Sequence, residues 1–182
     1  SEEIIAGAEK ALIDVSETAN RSGFKNIRDV LNLNFGNLEA RSLQTSDITG
    51  IATGYRELDK MTTGLHEEEL IILAVGKTAF TLNIAQNIGT KLDKTVAIFS
   101  LEMGAESLVD RMLASEGVIN SHSIRTGQLT DEEWQKYTIA TANLANASIY
   151  IDDTPGIRIT EIRSRARKLA QETGNLGLVL ID

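Results

Sequence analysis

The chain has 182 residues, 18 Lys and Arg against 26 Asp and Glu, and a formal net charge of −8. With 42% hydrophobic and 24% charged residues it can bury a core, which excludes disorder throughout or a collagen-like repeat. The absence of Cys removes disulfides, thiolate metal sites and a thiol nucleophile, and it fits a reducing cytoplasm.

The first residues predict an amphipathic helix, because Ile4, Ile5, Ala8, Ala11, Leu12 and Val15 recur at steps of three and four up to Gly23. A second helix is expected from Asn26 to near Arg41, with Ile27, Val30, Leu31, Phe35 and Leu38 on one side. Neither helix can bury its stripe alone, so both need a partner surface. Beyond a polar stretch at 42–49, short apolar runs alternate with amphipathic segments. Strands are predicted at 70–74, 96–100, 148–151 and 178–181, and helices at 78–89, 105–116 and 159–173. A further helix starts at Thr130, whose Thr-x-x-Glu pattern with Glu133 is a capping box; Trp134 and Tyr137 on it are expected to pack inward. Near-continuous apolar strands separated by helices imply an α/β fold, a parallel sheet with both faces covered. No run reaches the roughly 18 apolar residues of a membrane span, and Ser1 opens no basic and apolar leader, so a protein without membrane contact is expected.

The strongest local signal is Gly76-Lys77-Thr78 between a strand and a helix. A phosphate loop uses Gly for close backbone approach, Lys to neutralise outer phosphates and a Thr hydroxyl to hold Mg²⁺, with the helix N-terminus adding positive charge. The full pattern wants another Gly where Ile71 stands, and only Val75 separates Gly76 from the apolar run, so the loop is short. Either residues are missing between Ala74 and Val75 or the nucleotide loop has been deleted. The retained Thr78 and the apolar helix face favour the first account, which a Cα spacing near 3.8 Å would end.

Two carboxylates accompany the tripeptide. Asp182 ends the run Leu178-Val179-Leu180-Ile181, at the strand end where open α/β sheets bind ligands and where it could hold a Mg²⁺-bound water. Glu102 follows the 96–100 strand and could accept a proton from water attacking a γ-phosphoryl group, although a helix N-terminal charge is the plainer alternative. The basic segment with Arg158, Arg163, Arg165, Arg167 and Lys168 reads as a solvated face, given Glu161 and Glu172 nearby, in preference to a contact with a neighbour or a phosphate backbone. His66 and His122 lack partners at metal-ligand spacing and are expected at the surface.

Taken together, Ile48-Thr49-Gly50-Ile51-Ala52-Thr53-Gly54-Tyr55, Leu58-Asp59-Lys60-Met61-Thr62-Thr63-Gly64-Leu65, Gly76-Lys77-Thr78-Ala79-Phe80, Phe99-Ser100-Leu101-Glu102-Met103, Arg125-Thr126-Gly127 and Ile151-Asp152-Asp153-Thr154-Pro155 resemble the bacterial and phage replicative DNA helicases of the DnaB type, within the RecA-like ATPases. The resemblance runs from about Phe24 to Asp182. It implies the N-terminal half of a RecA-like P-loop NTPase core preceded by a helical linker. Residues 1–22 would be the tail of an N-terminal helical domain, 23–41 a linker helix docking on a neighbouring subunit, and 42–182 the ATPase domain, ending after its Walker B strand. The implied activity is NTP-driven translocation on single-stranded DNA and duplex unwinding by a cytoplasmic homo-hexamer that meets primase and a helicase loader. By the same likeness Gly76, Lys77 and Thr78 bind the phosphates of ATP or another NTP, Thr78 and Asp182 serve Mg²⁺, and Glu102 is the catalytic base. Ala52 stands where the family usually has Pro, and the family's Arg-Pro before Gly-Lys-Thr is absent. Another RecA-like ATPase, or a non-catalytic oligomerisation module, are the alternatives.

Overall fold

The computed structural model describes residues 26–43, 47–74 and 76–182. The helix expected at the start of the chain therefore lies outside the described residues, as does the spacing between Ala74 and Val75. Two compact units partition the chain, 1–45 and 46–182.

In the first unit, α1 spans Ile27–Ser42. It starts where predicted because Asn26 caps it, its Oδ1 accepting from the Arg28 N–H at 2.9 Å, while Asp29 in the first turn and Arg41 in the last complement the helix dipole. None of its residues is buried, so Ile27, Leu31, Phe35 and Leu38 present an uncovered apolar side.

The second unit contains α2 (Arg56–Thr62), α3 (Lys77–Lys91), β1 (Thr95–Phe99), α4 (Ala105–Gly117), α5 (Ser121–Thr126), α6 (Asp131–Ala145), β2 (Ile149–Asp152), α7 (Ile159–Thr173) and β3 (Leu176–Ile181). The three strands form one parallel sheet in the order β2-β1-β3. Ile98 of central β1 lies between Ile151 and Leu180. Alternate β1 side chains serve opposite faces, as the two-residue period of a strand requires. Val96 and Ile98 join Leu82, Ile84 and Ile88 of α3 and Leu108 of α4 in one core, whereas Ala97 and Phe99 meet Ile162 of α7 on the other side. This double coverage is why β1 reads as an unbroken apolar run. Gly89 lets α3 settle onto β2, since a Cβ there would stand 2.5 Å from Ile149 Cγ1.

Two expectations are corrected. Residues 70–74 form no strand; Leu70 and Ile72 are 88% and 82% exposed, and the sheet ends at β3. An apolar run becomes a strand only with an edge to pair with. Among the described residues, 70–74 pair with none of the three strands. Trp134 is 51% exposed and stacks edge-on against Tyr137 at 5.7 Å, because α6 turns this end toward solvent and buries Ala140 instead. Two short helices were not foreseen. Helix α2 is fixed by Asp59, whose buried carboxylate accepts from Thr53 N–H at 2.8 Å, Thr53 Oγ1 at 2.7 Å and Gly54 N–H at 3.2 Å. Helix α5 is capped by Asn120 and stopped by Gly127 at φ 70°. The Thr130–Glu133 capping box forms as expected, with Thr130 N–H donating to Glu133 Oε2 at 2.9 Å and Glu133 N–H to Thr130 Oγ1 at 3.2 Å.

Candidate active site at the carboxyl rim of the sheet

Parallel strands release their following loops at one rim, so residues distant in sequence meet there. Lys77 and Thr78 open α3 below that rim, Glu102 sits in the loop after β1, and Asp182 follows β3. The structure brings all four together. Thr78 Oγ1 donates to Asp182 Oδ2 at 2.8 Å, and Lys77 Nζ lies 3.0 Å from Glu102 Oε1 and 3.9 Å from Asp182 Oδ1. Gly76, in the left-handed region at φ 62°, is the N-cap of α3, with open space around it.

Burial divides these groups into two kinds. The Asp182 side chain is only 5% exposed, whereas those of Lys77 and Glu102 are largely open to water. Asp182 is thus a fixed part of the sheet end: its N–H donates to Phe99 O at 3.0 Å and its carbonyl accepts from Leu101 N–H at 2.7 Å. The hydrogen bond to Glu102 and its charge, with a smaller contribution from Asp182, hold the Lys77 ammonium above its usual pKa. The ammonium stays charged and available to an anion. An incoming polyphosphate would compete with Glu102 for Lys77, and winning that contact would release the Glu102 carboxylate.

The donor set can be tested against Mg²⁺. Among the described residues no group of three or more His, Cys, Asp and Glu could hold a metal by itself. A hydroxyl and a carboxylate side by side suit a hard cation that takes one or two protein oxygens and completes its shell with water and phosphate. Thr78 and Asp182 fit that description.

A family model described as the DnaB-like helicase C-terminal domain matches residues 50–182. The chain belongs to this family. Among relatives of the DnaB-like family, the replicative DNA helicase DnaC of Bacillus subtilis (strain 168) is 55% identical over an aligned 185 residues, covering 100% of this chain and 40% of the relative. That alignment is longer than the chain, so the relative carries residues with no counterpart here. The chain spans about two-fifths of the length of this curated relative. Among solved structures, one described as a DnaB-like replicative helicase and its interactions with primase superposes with a TM-score of 0.75 at 28% identity, covering 98% of this chain and 43% of that one. Another, described as an ATPase domain, gives 0.76 at 29% identity over 88% of this chain and 57% of that one. The parallel sheet flanked by helices is therefore the ATPase fold of DnaB-like helicases.

Sequence reasoning left part of the rim of this DnaB-like domain unread. Arg165, expected on a solvated face, donates from Nη1 to Asp152 Oδ2 at 2.6 Å and to Thr154 Oγ1 at 2.8 Å. The Thr154 hydroxyl, then Arg165, holds the Asp152 carboxyl below the usual range, against a partial burial that opposes it. The motif Asp152-Asp153-Thr154 was visible; the partner thirteen residues on, reaching back from α7, was not. Lys168, by contrast, pairs with Glu172 at 3.7 Å on the solvated face expected for it. His66 is half-buried with Nε2 2.9 Å from Thr49 Oγ1, and His122 is exposed. No described helix is long and apolar enough to cross a membrane.

Proposed function

We propose that this chain is the front half of an NTP-hydrolysing motor that moves along single-stranded DNA and parts the duplex at a replication fork. The observation that carries the proposal is the meeting of Lys77, Thr78, Glu102 and Asp182 at one rim of the sheet. In this reading Lys77 binds the outer phosphates of ATP or another NTP, aided by Gly76 and the N-terminus of α3. Thr78 and Asp182 hold Mg²⁺, which would neutralise charge on the phosphate oxygens. Glu102, displaced from Lys77 by the substrate, accepts a proton from the water that attacks the γ-phosphoryl group, and the Pγ–O bond to the nucleoside diphosphate breaks.

The uncovered apolar side of α1 supports its role as a linker helix that docks on a neighbouring subunit, within a homo-hexamer. Residues 1–22 are then the tail of an N-terminal domain, 23–41 the linker and 42–182 the ATPase domain. Contact with primase follows the described behaviour of the solved neighbour, and a helicase loader follows from the family. A replicative role places the protein in the cytoplasm.

A second reading, a non-catalytic oligomerisation module, is favoured by the exposed 70–74 run and the short link before Gly76. Nucleotide hydrolysis with and without single-stranded DNA separates the two. The motor reading expects DNA-stimulated turnover that Lys77→Ala abolishes. No turnover in protein of verified mass supports the module, and turnover unchanged in Lys77→Ala removes Lys77 from the site.

A further inference from the structure

Glu102 can act on a water molecule only if the short loop that carries it, between β1 and α4, holds still. Three of the bonds that pin this loop are main-chain contacts: Leu101 N–H to Asp182 O at 2.7 Å and Asp182 N–H to Phe99 O at 3.0 Å on the β3 side, and Ser100 N–H to Asp152 O at 2.9 Å on the β2 side. Within the loop, the buried Ser100 accepts at Oγ from Met103 N–H at 3.3 Å. The far end of the loop lacks a device of its own. Residue 104, the N-cap of α4, is Gly, with no side chain to accept from the first N–H groups of the helix.

Asp153 supplies what Gly104 cannot. Its Oδ2 accepts from the Ala105 N–H at 2.9 Å, so a carboxylate from the end of β2 caps α4 from outside. A Cβ at Gly104 would meet only that same Oδ2, at 3.8 Å. The neighbour, Asp152, makes the anchor rigid, because its carboxylate accepts from Thr154 N–H at 3.1 Å, Thr154 Oγ1 at 2.6 Å and Arg165 Nη1 at 2.6 Å. The loop bearing Glu102 is therefore tied to β3 through main chain, and to β2 through the Ser100–Asp152 main-chain bond at its start and the Asp153 side chain at its far end.

We propose that Asp153 is a positioning residue for Glu102: it fixes the α4 end of the catalytic loop and thereby the place from which the carboxylate reaches the attacking water. This rests on the hydrolytic reading above. It also gives a physical reason for two adjacent acidic residues, one locked into its own strand end and the other reaching across to the next loop. Misplacing a catalytic group by about 1 Å costs on the order of a hundredfold in rate, so losing the tie should act on turnover more than on binding.

The test compares wild type, Asp153→Ala, Asp153→Asn and Glu102→Gln by steady-state NTP hydrolysis, with hydrogen exchange at the Ala105 amide as an independent readout. In Asp153→Ala, kcat should fall about tenfold or more with KM within about threefold, and the Ala105 amide should exchange faster. Asp153→Asn keeps an acceptor oxygen and should recover most of the lost kcat, which a general loss of stability would not permit. The inference is overturned if Glu102→Gln abolishes turnover while Asp153→Ala leaves kcat intact. It is equally overturned if Asp153→Ala raises KM alone, or if Ala105 exchange is unchanged. Wild-type protein without turnover, or Glu102→Gln as active as wild type, defeats the hydrolytic reading itself and this inference with it.

Discussion

Thr78→Val isolates the bond that fastens α3 to the end of β3. Valine has nearly the shape of threonine, so the change deletes a hydroxyl without leaving a cavity. The lost contact is the 2.8 Å bond to Asp182 Oδ2, whose side chain is 5% exposed and cannot readily recruit water. A hydrogen bond to a charged acceptor is worth about 1.5–3 kcal/mol. Lys77 Nζ, 3.9 Å from Asp182 Oδ1, takes up part of the unmet charge, which puts the expected loss in the lower half of that range, about 1.5–2 kcal/mol. For a domain of this size that is a fall in Tm of about 3–8 °C. Urea and thermal unfolding followed by circular dichroism measure it, and Thr81→Val is the control. Thr81 Oγ1 donates only to main-chain carbonyls, those of Lys77 at 2.6 Å and Thr78 at 3.2 Å, so its removal should cost less than about 1 kcal/mol. The reasoning fails if Thr78→Val lies within about 0.5 kcal/mol of wild type, or if the control loses as much.

Ile88 is fully buried between α3 and the sheet, so Ile88→Ala should cost about 3–4 kcal/mol in urea unfolding, and a loss under about 1 kcal/mol would contradict the core described here. The folded Asp152 carboxyl has a lowered pKa, so its stabilisation is complete above the unfolded value and disappears as pH falls through the folded one. Asp152→Asn should therefore lose stability at pH 7 and show a shallower decline from about pH 4 downward, read as urea midpoints at several pH values. On α1, Phe35→Ser removes an exposed apolar group and should change the stability of the single chain by less than about 0.5 kcal/mol, yet weaken self-assembly measured by sedimentation. Assembly equal to wild type would count against docking through that side.

What the sequence made legible follows from how each element is stabilised. Helix α7 was read to its terminal residues because Ile162 and Leu169 mark a face, Glu161 accepts from the Arg158 N–H at 3.0 Å to open it, and Gly174 ends it at φ 72°. The strands β1 to β3 were visible as apolar runs between helices. The same rule misread 70–74, since hydrophobicity states that a segment seeks cover but not that an edge is within its reach. Helices α2 and α5 escaped notice because they rest on local side-chain hydrogen bonds, those of Asp59 to the preceding loop and of the Asn120 cap, and not on a periodic stripe. In the site, Lys77, Thr78, Glu102 and Asp182 could be picked out by their strand-end and helix-start positions, which topology alone brings together. The Asp152–Arg165 pair and the reach of Asp153 to Ala105 depend on how α7 and α4 are oriented on the sheet, which no local pattern encodes.

The central claim is that Lys77, Thr78 and Asp182 make one phosphate and Mg²⁺ site. Isothermal titration calorimetry of a non-hydrolysable NTP analogue addresses it most directly, with and without Mg²⁺, on wild type and Lys77→Ala. The account predicts saturable binding that requires Mg²⁺ and is lost in Lys77→Ala. Binding indifferent to both the metal and Lys77, or no binding by the wild-type chain, would contradict it.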